Sequence, residues 1–164
     1  MTSDTQATTS DDKQKEIEIK NILVPIDGSE YSVHAAQYAT RIARNEKAQL
    51  FCIHVVTPKI PYGYATPAAS PTKSRYHDDI KNKVESWFDN VRNMAKDEGI
   101  FDIKTDIFID VKSIIESIID YATTKNIDLI VIGTRGRTGL KRFFMGSVAH
   151  GVIQHAHCSV LLVR

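Results

Sequence analysis

Short apolar runs recur along this chain, and the segments between them carry apolar residues at helical spacing. That rhythm limits the fold more than any other feature. The runs occupy 20–26, 48–56, 101–108, 128–132 and 160–163. Four of them are near-continuous in Val, Ile, Leu and their neighbours, as strands are when both faces of their sheet are covered. The third alternates instead, with Phe101, Ile103 and Thr105 opposite Asp102, Lys104 and Asp106.

Between the runs, Ala35, Ala36, Ala39, Ile42 and Ala43 share one face of a helix that Ser29 can cap. Ile80, Val84, Trp87, Phe88, Val91 and Ala95 form the stripe of a long second helix, which Gly99 ends. Ile114, Ile115, Ile118, Ile119 and Ala122 follow Ser113 as a third, and Val148, Ala149, Val152, Ile153 and Ala156 mark a short last one. Strands alternating with helices predict an α/β domain on a parallel sheet, open and doubly wound, because parallel neighbours need right-handed crossovers.

The flanking segments and the composition set the remaining bounds. The 164 residues suit one domain, 42% hydrophobic and 25% charged. Residues 1–18 have almost nothing to bury and are expected to be a disordered tail, so the domain spans 19–164. The stretch 57–74 holds four of the 5 prolines and is expected to be an irregular surface loop, a place for partner contact or a lid. Twenty-one basic against 20 acidic side chains leave a net charge of +1, which provides no global field for nucleic acid or an anionic membrane. No apolar run approaches the roughly 20 residues of a membrane span, and the N-terminus has no secretory core, so a cytoplasmic location is expected. Cys52 lies in an apolar run and Cys158 just before one, and both read as buried thiols. His150, His155 and His157 cluster without a ligand pair on one helix face, so no metal site is expected.

Five of the 8 glycines fall between Gly133 and Gly151. The segment from Gly133 to Ser147 joins the fourth run to the last helix and carries Arg135, Arg137, Lys141 and Arg142 without an acidic residue. Gly133 and Gly136 allow close backbone approach to a ligand, and Gly146-Ser147 opens a helix whose free N–H groups favour phosphate. A phosphate cradle and a solvated loop with turn glycines are both consistent with this pattern. Asp27 and Ser147 could each be only a helix cap, Val55 and Ile132 only sheet core, and the cations a solvated face. Neither the P-loop nor the G-x-G-x-x-G spacing is present. No nucleophile elbow or pair of catalytic carboxylates stands out.

The spacing Gly133, two residues, Gly136, nine residues, Gly146-Ser147 resembles the nucleotide-binding signature of the universal stress protein family, in its ATP-binding branch. Residues 22–29, 52–56, 128–133 and 158–163 resemble the family's first, second, fourth and fifth strands in order. Several expectations follow from this resemblance. The fold is a Rossmann-like, adenine nucleotide alpha hydrolase-like sheet of five parallel strands in the order 3-2-1-4-5, with helices on both faces. Asp27 and Gly133 face one pocket at the switch point, with Asp27 near the ribose or an adenine edge. ATP, with or without Mg2+, is bound by Pro25, Ile26, Asp27, Val55, Ile132, Gly133, Arg135, Gly136, Gly146, Ser147, Val148 and Ala149. Ala149 stands where the family can hold Thr, so only its backbone can contribute. Ser159 replaces a frequent proline, which loosens that turn. Gly151 inside the last helix suggests a tight contact.

The resemblance also implies a homodimer through the last strand, Val160 to Val163, an apolar edge that a monomer would leave unprotected. The expected role is a nucleotide-dependent stress-response switch or sensor acting through its conformation or through binding a protein partner, with no catalytic residue and at most weak ATP hydrolysis. A slow ATPase or nucleotidyl-transfer enzyme using the same pocket, or a module for a different small ligand, are the alternatives.

Overall fold

In a computed structural model, residues 18–57, 71–109, 111, 113–136 and 145–164 are described. The elements run β1 (Asn21–Pro25), α1 (Glu30–Glu46), β2 (Gln49–Val56), α2 (Pro71–Asp97), β3 (Ile103–Ile109), α3 (Ile114–Thr124), β4 (Leu129–Gly133), α4 (Ser147–His155) and β5 (Ser159–Val163). The strands form one five-stranded sheet in the order β3-β2-β1-β4-β5, every pair parallel. The expected fold class and strand order are therefore met.

Strand alternation sorts the core into two layers. Ile22 and Val24 of β1, Leu50 and Cys52 of β2, and Val131 of β4 pack with Ala35, Ala36, Ala39 and Ala43 of α1 and with Val84, Phe88 and Val91 of α2. Leu23, Phe51, Ile53, Ile130 and Ile132 face the other way, onto Ile118, Tyr121 and Ala122 of α3 and Ala149 and Val152 of α4. The small alanine face of α1 lets that helix lie close over β1 and β4, at the centre of the sheet. No helix among the described residues is long and apolar enough to cross a membrane.

Caps define the helix starts as the side chains require. Ser29 accepts a hydrogen bond from Ser32 N at 3.2 Å, and Ser113 accepts one from Glu116 N at 3.2 Å. Three sequence expectations and one alternative reading need correction. Helix α2 begins at Pro71, so the irregular stretch does not extend to 74; proline suits the first helical position, where no backbone donor is lost. The rest of that stretch, 58–70, lies outside the described residues, as does the tail through 17. Phe101 is not part of the third strand, which starts at Ile103, and its side chain is 81% exposed. Ile153 is exposed rather than inward. Ser147 is not the cap of α4; Gly146 is, with no side-chain bond.

Two further expectations are met, the second in part. A Cβ at Gly151 would overlap Ile115, so this glycine does mark a tight contact between α3 and α4. Cys52 is fully buried as expected, and burial pushes its thiol well above the usual range; Cys158 is only half-buried, so the buried-thiol reading holds for Cys52 and not for Cys158, and both are free thiols.

Candidate nucleotide site

Strands β1 and β4 are neighbours, with Ile22 beside Leu129 and Leu23 beside Ile130, although most of the chain separates them in sequence. The chain leaves β1 toward α1 on one face and leaves β4 toward α4 on the other. Their carboxyl ends therefore diverge, and the gap between the two departing loops is where open parallel sheets bind ligands.

The first loop is Ile26-Asp27-Gly28-Ser29. Ile26 N donates to Ile53 O at 2.8 Å, so the backbone still follows β2 one residue past the strand. Asp27 then turns its carboxylate back, and Oδ1 accepts from Ser29 N at 3.0 Å. This is a local turn bond of a kind short acidic side chains favour. Asp27 is thus not the cap of α1, a role that belongs to Ser29.

The second loop begins at Thr134. Thr134 N donates to Val163 O at 2.7 Å, and Gly146 N donates to Thr134 O at 2.8 Å. The second bond closes the neck of the loop, so that its start and its return at Gly146 lie side by side. Segment 137–144, with Arg137, Lys141 and Arg142, is outside the described residues.

Gly136 brings the two loops together. A Cβ on Gly136 would sit 2.7 Å from Asp27 Oδ2. Only a residue without a side chain lets the carboxylate and this backbone lie so close. Gly133 also packs against α1. A Cβ there would lie 2.8 Å from the backbone of Tyr31, so the missing side chain lets α1 settle on β4. Arg135 leans over the Tyr31 ring at 5.5 Å and donates to the Tyr31 hydroxyl at 3.0 Å. That contact holds the guanidinium at the rim, beside the neck.

The third component is the start of α4. Gly146 caps it without a side chain, and the first-turn N–H groups of Ser147, Val148 and Ala149 have no intrahelical acceptor. Ser147 is exposed, whereas Ala149 is buried in the core, so the backbone is all it can offer. Of the remaining expected residues, Pro25 is half-buried at the end of β1. Ile26, Val55 and Ile132 are 5%, 8% and 5% exposed and pack as core beneath the loops. The expected set therefore divides into loop residues that are exposed or half-buried, chiefly Asp27, Arg135, Gly136, Gly146 and Ser147, and residues buried in the core.

The sequence alone assigns no role to His54 or Tyr31. His54 is buried, and its Nδ1 donates to Ile26 O at 2.5 Å; Trp87 meets its ring edge-on at 5.2 Å between centroids. A histidine inside an apolar run is the available signal for this one. Nothing in the local sequence marks Tyr31 as the support of Arg135.

The fold defines a parallel α/β protein whose switch point brings together a carboxylate turn, a glycine loop and a helix start. Residues 18–164 match the model of the universal stress protein family, and the chain belongs to that family. A universal stress protein of Methanocaldococcus jannaschii is 36% identical over 145 residues, covering 88% of this chain and 82% of that protein. One of Bacillus subtilis is 30% identical over 147 residues, covering 87% and 97%. The solved structure of a universal stress protein from Lactobacillus plantarum superposes with a TM-score of 0.78 at 30% identity, covering 90% of this chain and 99% of that one.

Proposed function

We propose that this protein binds ATP in the gap between β1 and β4 and acts as a nucleotide-dependent stress-response switch. The observation that carries the reading is the contact of Gly136 with Asp27 beside the start of α4, whose cap Gly146 makes no side-chain bond. Here a carboxylate suited to hydroxyl or amino donors adjoins backbone donors suited to phosphate. A carboxylate repels polyphosphate, so the ligand's sugar or base belongs over Asp27 and its phosphates over Gly146, Ser147 and Val148. Arg135 at the rim adds positive charge on the phosphate side. Mg2+, where it accompanies ATP, would be held mainly by the phosphates and water, as that ion prefers.

Universal stress proteins of the same fold have been solved with cAMP and, from Archaeoglobus fulgidus, with dAMP. At 21% and 23% identity they share the fold with this chain, and the choice of ATP here rests on its own glycine loop and helix start. Signalling through a protein partner, a cytoplasmic location and dimerisation through β5 belong to the same proposal. We read the protein as a binding protein, since the residues at the gap serve to hold a ligand.

Calorimetry with ATP tests the reading directly. The wild type should bind at or below millimolar ATP, and Gly136→Val should weaken binding by more than about tenfold, or about 1.4 kcal/mol. Equal affinity in the two proteins would move the site elsewhere. No binding by the wild type, and no adenine nucleotide released on denaturing it, would sink the function.

A further inference from the structure

We propose that Trp87 and His54 are positioning residues for Asp27, so that α2 forms a mechanical part of the nucleotide site. The inference rests on the functional reading above and adds to it the means by which the carboxylate is held.

Asp27 lies between two residues whose backbone is gripped from the α2 side of the sheet. Before it, the Ile26 carbonyl accepts from His54 Nδ1 at 2.5 Å. A carbonyl can only accept, so Nδ1 carries the proton and the imidazole orientation is set by that bond. After it, Gly28 adopts φ +77°, a left-handed conformation. A Cβ at Gly28 would overlap the Trp87 indole, so the ring lies directly against the backbone of the turn. The two grips are joined, because Trp87 and His54 meet at 83° with centroids 5.2 Å apart. The Lys83 ammonium lies over the same indole at 5.7 Å, one helical turn before it.

The turn thus cannot move without moving a large ring on α2. His54 belongs to β2, whose backbone is paired with β1 on one side and β3 on the other. Trp87 belongs to α2, which is anchored by Val84, Phe88 and Val91 in the core. A displacement of Asp27 on ligand binding would therefore be transmitted to α2 through the indole. Trp87 is also the only tryptophan of the chain, so its emission should report that event.

Two measurements test the proposal, one of them without any ligand. The amide of Ser29 donates to Asp27 Oδ1, and its hydrogen exchange reports how firmly the turn is set. In the unliganded protein, Trp87→Leu and His54→Leu should each speed that exchange about tenfold or more relative to the amide of Ile118, a buried residue of α3 on the other face of the sheet that serves as the reference. Trp87→Phe should keep the wild-type rate. The second measurement is a double-mutant cycle on ATP affinity. If Trp87 acts through Asp27, adding Trp87→Leu to Asp27→Asn should cost no more than Asp27→Asn alone. Independent effects would multiply, to about 100-fold if each were tenfold. Unchanged Ser29 exchange in both Leu variants, or multiplying losses, would overturn the proposal. Should the wild type bind no ATP, the functional reading falls, and Ser29 exchange alone decides the positioning role.

Discussion

Gly133 and Gly136 look alike in the sequence and do different things in the fold. Both belong to one glycine spacing, yet one backs onto α1 and the other faces Asp27. The two alanine substitutions should therefore separate stability from binding. Gly133→Ala pushes a methyl against the Tyr31 backbone, which cannot swing away, and should cost about 1–3 kcal/mol in urea unfolding. Its folded form should bind ATP nearly as the wild type does. Among the described residues, Gly136→Ala meets only the end of the Asp27 side chain, which can turn aside. It should fold with near-native stability and lose about tenfold in ATP affinity. A reversed pattern would mean that Gly133 is the ligand contact.

The buried acids make a second residue-level prediction. Burial raises the Cys52 thiol; burial, and then the hydrogen bond to Asp106 at 2.7 Å, raise the Tyr121 phenol. The unfolded chain ionises both groups at their ordinary values, near 8.5 and 10, while the folded chain keeps them protonated. Their contribution to stability is thus whole below about pH 8.5 and declines above it, by up to about 1.4 kcal/mol per pH unit for each group. Cys52→Ala should flatten the decline between about pH 8.5 and 10, whatever its cavity cost. Urea unfolding across that range, with an unchanged slope in the variant, would show that the thiol ionises while folded.

At the level of elements, apolar periodicity located every strand and helix, because most side chains that repeat at the right spacing are buried on the face it implies. The ends were less legible, since they depend on contacts outside the repeat. Phe101 continues the parity of Ile103. Yet α2 closes with Gly99 N donating to Lys96 O and Ile100 N to Ala95 O, which turns Ile100 onto the core and leaves Phe101 facing water. Ile153 lies one turn beyond Ala149, but α4 directs Ala149, Gly151 and Val152 inward, and Ile153 is about 100° past Val152. The meeting of Asp27 with the glycine loop was legible from the glycine spacing and the resemblance it carries. The site was not legible where support came from another element, as with Tyr31 beneath Arg135. Gly151→Ala shows how such a contact outweighs propensity. The change favours the helix by about 1 kcal/mol, but the new methyl overlaps Ile115. Overpacking costs about 1–3 kcal/mol, so the variant should be less stable, and Ile115→Ala should be better tolerated together with Gly151→Ala than in the wild type. Thermal unfolding of the four proteins of this cycle checks it, and a more stable Gly151→Ala protein would mean that α3 and α4 separate freely.

For the whole molecule, the strand order leaves β3 and β5 as the two edges of the sheet. They are unequally suited to joining another copy. Beside and within β3 lie Asp102, Lys104 and Asp106, with Lys104 held to Asp102 at 2.9 Å; charges on an edge discourage further pairing. Residues 159–163 of β5 contain no charge, and Val160, Leu161 and Leu162 are only half-buried. An apolar strand that pairs on one side only, among the described residues, meets the requirement for a two-fold contact with its own copy. Sedimentation velocity should therefore show a dimer for the wild type. Leu162→Lys places like charges near the two-fold axis and should shift the equilibrium to monomer, while Lys104→Glu on β3 should leave the dimer intact. A monomeric wild type would refute the assignment outright. A dimer broken by the β3 change and not by the β5 change would transfer the interface to the opposite edge. Because β5 also receives Thr134 N through Val163 O, the dimer contact would lie one strand from the neck of the nucleotide loop. Loss of the dimer should then weaken ATP binding as well, by about twofold to tenfold if the coupling is below about 1.4 kcal/mol.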